Sequence, residues 1–105
     1  MIPIDISRPL NNESAKTYRE QLLPLILDCI QQVSEKPNGY LLDLGRNDEA
    51  IHWASQFLEV ERLINPFLRG QLIVESHNGP VKLELEGPSG TKAFLYEEFR
   101  LGMRK

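Results

Sequence analysis

The apolar residues of the chain follow two spacings, one typical of strands and one typical of helices. Ile2, Ile4 and Ile6 alternate with other residues, which indicates a short strand with one buried face. Pro3 lies within this segment and has no backbone N–H to donate. Because a proline removes a bond from a sheet ladder, we expect this strand at a sheet edge.

The first predicted helix follows this strand. N-cap oxygens are available from Asn11, Asn12 and Ser14. Apolar residues three and four positions apart then form one helix face: Tyr18, Leu22, Leu25, Ile26, Cys29 and Val33. Pro24 lies inside this stripe, so we expect a kink or two helices that meet near Leu23. The segment 36–39, Lys-Pro-Asn-Gly, predicts the end of the helix.

The centre of the chain predicts a strand and then a second helix. Tyr40–Leu44 is a short apolar run between two glycines, and its lack of clean alternation favours an interior strand. Ala50–Phe67 carries apolar residues at helical spacing, and Asn65-Pro66 predicts its end or a bend. Its apolar face comprises Ala50, Ile51, Trp53, Ala54, Phe57, Leu58, Val60 and Ile64. A face this wide needs cover on more than one side.

The segment 72–85 predicts a β-hairpin. Two apolar strands, Leu72–Val74 and Val81–Leu85, flank the sequence His-Asn-Gly-Pro. Asn-Gly is typical of a two-residue turn, but Pro80 has no N–H to close it, so we expect a four-residue loop. The predicted register places Ser76 opposite Val81, Val74 opposite Leu83, Leu72 opposite Leu85 and Glu75 against Lys82.

The last predicted element completes the order of helices and strands, and this order predicts the fold class. Thr91–Leu101 indicates a short amphipathic helix that ends at Gly102. The order β-α-β-α-β-β-α predicts an α+β fold, a single two-layer domain over residues 1–105. We expect a mixed sheet of three or four strands with helices mainly on one face. The segment Tyr40–Val74 forms a right-handed β-α-β unit if its two strands run parallel.

Composition and charge narrow the classes of function. The chain has 105 residues, of which 41% are hydrophobic and 26% charged, a globular profile. A net charge of -3 gives no broad positive field for nucleic acid. Cys29 is the only cysteine and the first ten residues do not resemble a signal peptide, which favours the cytoplasm. The longest apolar run, Leu22–Leu27, is too short to cross a membrane.

The common catalytic and cofactor motifs do not occur in the sequence. It holds no phosphate-binding glycine loop, nucleophile elbow, zinc-protease helix, Cys-x-x-Cys pair or calcium loop. The sequence therefore predicts a protein that is not an enzyme and has no cofactor or bound metal.

The joint between the central strand and the second helix holds the leading candidate for chemistry. Asp43, Asp48, Glu49 and His52 lie near the carboxyl end of a strand, where ligands tend to bind in α/β proteins. Asp48 and His52 are four apart and share a helix face from which both can reach a metal. Helix capping by Asn47 or Asp48, with Glu49 at the positive helix end, explains the same residues. Asp43 decides between them, because it either turns outward or caps local backbone groups.

Three other features have a structural and a functional interpretation. Cys29 lies on an apolar stripe beside Asp28, which raises a thiol pKa and favours a core residue. His77 lies at a hairpin tip without a neighbouring nucleophile and acid, so a solvated side chain is expected. Trp53 and Phe57 could form an aromatic ligand platform, but their helical spacing favours the core.

Glu61 stands out as an acid at the apolar flank of the second helix. Buried alone it would be costly, so we expect it to reach solvent, to pair with Arg69 or Lys92, or to lie in an interface. The candidate interface residues are Trp53, Phe57, Glu61, Phe94 and Phe99.

The favoured hypothesis is a non-enzymatic protein-interaction or regulatory domain that acts as a homodimer or an adaptor. The wide apolar helix face, exposed strand edges and the amphipathic last helix favour it. The alternative is a small metal- or ligand-binding enzyme that uses Asp43, Asp48, Glu49 and His52. A third hypothesis, nucleic-acid binding, relies on scattered cations that form no dense cluster.

Overall fold

Three α-helices and four β-strands form residues 12–103, the part of the chain that the computed structural model describes. In chain order they are α1 (Asn12–Cys29), β1 (Gln32–Lys36), β2 (Gly39–Asp43), α2 (Asp48–Ile64), β3 (Arg69–Val74), β4 (Val81–Glu86) and α3 (Thr91–Glu98). A 3-10 turn, Leu101–Met103, follows α3. The strand predicted at Ile2–Ile6 lies outside the described residues. Within residues 12–103, no helix is long and apolar enough to cross a lipid bilayer.

The four strands form one sheet in the order β1-β2-β4-β3. Each of its three pairings is antiparallel, so the α+β class is confirmed, whereas the expectation of a mixed sheet is wrong for the described strands. Since β2 and β3 are both antiparallel to β4, they run in the same direction with β4 between them. Among residues 12–103, β1 and β3 are the two edges of the sheet.

The first helix is shorter than the apolar spacing predicts. It ends at Cys29, and it passes through Pro24 as one helix, so the predicted junction of two helices near Leu23 is wrong. Val33, which fits the helical stripe, lies instead in β1, because β1 pairs along its whole length with β2. Residues 37 and 38 are therefore the turn of a hairpin and do not end a helix.

The β3–β4 hairpin is confirmed, but its register differs from the predicted one by two residues. The observed pairs include Val74 with Val81 and Leu72 with Leu83. A shift of two keeps every side chain on its predicted face. The expected contact between Glu75 and Lys82 also persists, with the Nζ–Oε2 distance at 3.7 Å.

The register differs because the turn lies one residue earlier than the Asn-Gly pair. His77 and Asn78 both have a φ of 58°, the left-handed conformation that a tight hairpin turn requires at its two central residues. The Gly79 N–H donates to the Ser76 carbonyl oxygen over 3.1 Å. The N–H of Gly79 closes the turn, so the missing N–H of Pro80 is not needed there. The predicted four-residue loop is therefore wrong.

The third helix is also shorter than predicted. It ends at Glu98 and not at Leu101. Arg100 has a φ of 50°, so the backbone leaves the helical conformation there. The Phe99 N–H still donates to the Leu95 carbonyl over 2.9 Å, which makes Phe99 the last residue held by the helix ladder.

One face of the sheet is buried and the other carries charges. The buried face contributes Tyr40, Leu42, Val81, Leu83 and Leu85 to a core cluster. Helix residues of the same cluster include Leu22, Ile26, Phe57, Val60 and Leu95. On the other face Lys36 Nζ lies 2.8 Å from Glu84 Oε2, a cross-strand ion pair typical of a solvated sheet surface.

Candidate functional site

Asp43, the undecided residue of the joint between β2 and α2, turns toward its own backbone. Its Oδ1 accepts a hydrogen bond from the Gly45 N–H over 2.8 Å. Gly45 has a φ of +75°, so the chain makes a left-handed turn here that a glycine adopts without strain. The carboxylate therefore acts as a local cap of this turn.

The start of α2 follows the capping rules. Asn47 is the N-cap, and its Oδ1 accepts from the Glu49 N–H over 3.0 Å. Asp48 and Glu49 lie in the first turn, where negative charge is favourable beside the positive end of the helix. Both side chains are exposed, and capping accounts for both without a ligand.

His52 lies one turn further along α2, exposed, at the border of a shallow hollow. Its Nε2 is 3.2 Å from the amide nitrogen of Gln56. The hollow measures about 360 Å³ and is lined by His52, Trp53, Asp48 and Glu49. Asp43 is not part of it, so the structure separates the four predicted site residues into a backbone cap and a helix face. Among the described residues, no three His, Cys, Asp or Glu side chains come close enough together to hold a metal ion.

Cys29 and His77 differ in their exposure to solvent. Cys29 is buried, and its Sγ accepts a weak hydrogen bond from the Asn47 amide over 3.4 Å. Burial raises the pKa of the Cys29 thiol, and the charges of Asp28 and Glu49 add to this increase against the Asn47 hydrogen bond. Because its pKa is raised, the Cys29 thiol is kept in its unreactive neutral form. His77, by contrast, is exposed in the β3–β4 turn.

The predicted interface residues lie largely inside the chain. Phe57, Glu61 and Phe99 have 2% of their surface exposed or less, and Trp53 and Phe94 are partly buried against the core. Phe57 and Phe99 meet edge to face, with their ring centroids 5.8 Å apart. The wide apolar face of α2 is thus covered by the protein's own elements, mainly by packing against α1.

Glu61 is explained by an ion pair that the sequence did not suggest. Its partner is Arg19 of α1 and not Arg69 or Lys92, with Nε 2.5 Å from Oε1. The Asn65 amide donates to both Glu61 oxygens, over 3.3 and 3.2 Å. These donors satisfy a carboxylate whose side chain is only 3% exposed. Glu61 therefore has a structural role.

A cleft of about 270 Å³ opens between α2 and β3. Its apolar lining comes from Leu58 of α2, Leu68, Leu72 of β3 and Leu85 of β4. Exposed polar side chains form its border on α2: Ser55, Glu59 and Arg62. The size and the leucine lining suit one or two apolar side chains of a binding partner.

Gly70 of β3 lets the helix approach the strand at this cleft. A Cβ atom on Gly70 would lie 2.2 Å from Leu58 Cδ2, far inside van der Waals contact. Leu58 therefore rests directly on the backbone of the strand. A residue with a side chain at position 70 would fill the outer end of the cleft.

The backbone of β3 directs hydrogen-bonding groups away from the sheet. The Val81 N–H donates to the Gly45 carbonyl over 2.9 Å, and its carbonyl accepts from the Leu44 N–H over 2.8 Å. Both groups point away from β3, toward the residues that directly follow β2, so Val74, the register partner of Val81 on β3, makes no bond with it. Since peptide groups alternate in an antiparallel ladder, the N–H and C=O of Gly70, Leu72 and Val74 point to the open edge.

Val74 is the most exposed large hydrophobic residue of the described chain, at 54%. It lies on the same sheet face as Leu72 and Gly70, next to the cleft. Exposed strand edges are expected from the sequence, but neither Val74 nor Gly70 can be singled out there. Their importance comes from the position of β3 at an edge of the sheet that residues 12–103 form, and from Leu58 packing on it.

Comparisons of the chain with protein-family models, with curated proteins and with solved structures find no match. What the chain does is therefore inferred from its own residues.

Proposed function

We propose that this protein is a protein-interaction domain that binds an extended polypeptide strand along the edge of β3. The observation that carries the proposal is a leucine-lined cleft beside an edge strand whose outward backbone groups are unpaired among residues 12–103. A strand added here extends the sheet through main-chain hydrogen bonds. Its alternate side chains then face the cleft.

The cleft supplies the side-chain preference of this interaction. Leu58 and Leu72 favour an apolar residue at the position of the added strand that faces the cleft. Arg62 and Glu59 at its border are exposed and make no ion pair with another described residue. They are free to contact polar residues that flank the apolar one.

The other edge strand of the described sheet, β1, offers a comparison within the same molecule. It contains Val33 among polar residues, and it ends at Lys36, which is followed by Pro37. Charge and proline are the usual means by which proteins keep a sheet edge from pairing. β3 instead ends in Leu72, Ile73 and Val74, so it is the edge suited to binding.

A peptide library tests the proposal. Random peptides are selected on the immobilised protein, and their affinities are then measured by fluorescence anisotropy. We expect the selected peptides to be extended and to carry alternating apolar residues. Their binding should slow hydrogen exchange at the Gly70, Leu72 and Val74 amides. Val74→Pro removes one outward N–H without breaking a bond to β4, so it should weaken binding about tenfold or more.

The matched control is Val74→Ala, which shortens the side chain but retains the N–H. It should weaken binding less than the proline does. Peptides that bind wild type and Val74→Pro equally well, or that protect amides outside β3, would show that the edge is not the binding surface.

A further inference from the structure

Within residues 12–103, β3 is an open edge whose side-chain sizes and charges match a second copy of the same strand. This inference rests on the proposed function, and it names the strand that is bound. We propose that two copies of the protein pair through antiparallel β3 strands, with a two-fold axis at Leu72. The two sheets then form one continuous sheet.

The hydrogen-bonding pattern selects residues that can pair. In an antiparallel ladder, two residues that exchange bonds must both direct their backbone groups to the shared edge. On β3 these are Gly70, Leu72 and Val74. An axis at Leu72 pairs Leu72 with its counterpart and Gly70 with Val74 of the second copy. Every outward group of the strand is then bonded.

The side chains on the cleft face are complementary in this register. Val74, which is 54% exposed, lies opposite Gly70 of the second copy, where β3 has no side chain. Leu58 packs directly on Gly70 in each copy. The methyl groups of Val74 from one copy therefore meet Leu58 and Leu72 of the other copy, at the outer end of its cleft. The symmetry makes this contact twice, so two exposed valines are buried.

The opposite face places unlike charges together. Arg69 and Glu75 lie on the solvated face with Ile73, and the Leu72 axis puts Arg69 opposite Glu75 of the second copy. Within residues 12–103, Arg69 makes no ion pair, and Glu75 makes only the 3.7 Å contact with Lys82. Moving the axis to Gln71 or Ile73 would instead place Arg69 against Ile73 or His77. The charges therefore favour the Leu72 register.

The oligomeric state is the first measurement. Sedimentation velocity over a range of concentrations should show a reversible dimer of the full chain. Val74→Lys places a charge against the leucines and should raise the dimer dissociation constant at least about a hundredfold. Tyr96→Lys makes the same change at a residue that is 46% exposed on α3, and it should leave the dissociation constant unchanged. Thermal melts confirm that both variants fold.

Crosslinking tests the register. In a Cys29→Ala background, Leu72→Cys places two sulfurs at the axis, within the Cα separation of about 5.5 Å that a disulfide accepts. It should form a covalent dimer on oxidation. Ile73→Cys lies opposite Gln71 of the second copy, so its own counterpart is too distant and it should not crosslink.

The outcomes separate this inference from the function on which it rests. A dimer that is lost in Val74→Lys and crosslinked at position 72 supports it. A dimer that Val74→Lys leaves intact overturns it, as does crosslinking at position 73 in preference to 72. A chain that stays monomeric but binds selected peptides at β3 also overturns the self-pairing while the proposed function stands. If it is monomeric and its peptides ignore the edge, both are wrong.

Discussion

Arg19 of α1 and Glu61 of α2 form an ion pair inside the protein, with Nε 2.5 Å from Oε1. The guanidinium carbon also lies 5.7 Å from the centroid of the Phe57 ring, a cation–π contact. Its Nη2 is 2.7 Å from Glu98 Oε1 at the end of α3, an ion pair without hydrogen-bond alignment. One arginine therefore links α1, α2 and α3.

Removing the arginine should destabilise the protein strongly. Arg19→Met leaves the Glu61 carboxylate buried with only the Asn65 amide, and a buried charge without its partner costs about 3–5 kcal/mol. Urea denaturation gives the free energy of unfolding. Glu98→Gln is the control, since Glu98 is 35% exposed and the change should cost less than about 1 kcal/mol.

The double variant Arg19→Met with Glu61→Leu checks the cause. It removes both charges and keeps apolar volume, so it should recover most of the stability that Arg19→Met loses. Equal losses in the single and double variants would mean that packing of the arginine stem, and not its charge, holds the helices.

Asp43 should tolerate loss of its charge but not loss of its oxygen. Asp43→Asn retains the acceptor for the Gly45 N–H, whereas Asp43→Ala removes it and should cost about 1 kcal/mol. Thermal and urea denaturation of the two variants provide the comparison. If asparagine is as damaging as alanine, then the negative charge itself matters, and the interpretation of Asp43 as a backbone cap is wrong.

The elements that the sequence predicts well are those that local patterns determine. The helix α2 has a strong apolar stripe and an N-cap at Asn47. In the β3–β4 hairpin, β4 alternates apolar and charged residues, and β3 ends in the apolar run Leu72–Val74. Both can be identified without knowledge of the rest of the chain. The polar strand β1, by contrast, contains one apolar residue, Val33, whose spacing from Cys29 also fits a helix. Its identity depends on pairing with β2, which no local pattern records.

The candidate surface depends even more on the tertiary structure. Cap signals correctly suggest the structural alternative for Asn47 and Glu49. The partner of Glu61 lies 42 residues away, so sequence spacing cannot identify it. From the sequence, Gly70 is only a residue of low strand propensity. The structure shows that it makes room for Leu58, which occupies the space beside its Cα. Binding surfaces built from two distant elements are not visible in a single sequence.

Two glycines should respond differently to a methyl group. A Cβ at Gly39 would lie 1.9 Å from the Leu85 carbonyl oxygen, a backbone atom that β2–β4 pairing holds in place. At Gly70 the obstacle is the end of the Leu58 side chain, which can rotate away. Gly70→Ala should therefore cost about 1–3 kcal/mol, as overpacking usually does, and Gly39→Ala considerably more.

Urea denaturation and the dispersion of amide NMR signals measure both glycine variants. Gly90→Ala controls for backbone strain alone, since Gly90 has a φ of +97° but nothing within 4 Å of the added methyl. Its cost should come only from the left-handed conformation, about 1 kcal/mol. A smaller loss for Gly39→Ala than for Gly90→Ala would contradict the close approach of β2 and β4.

Cys29 should make the stability of the protein depend on alkaline pH. Burial raises the pKa of its thiol, so the folded protein keeps the proton to a higher pH than the unfolded chain does. Above the ordinary thiol pKa of 9.0, which the unfolded chain retains, unfolding therefore releases a proton. The contribution of the neutral thiol to stability is complete below that pH, and it is lost as the pH rises through the thiol pKa of the folded protein. Urea denaturation at pH 7, 8, 9 and 10 should show the decline, and Cys29→Ala should decline less. Parallel curves for the two proteins would mean that other groups cause it.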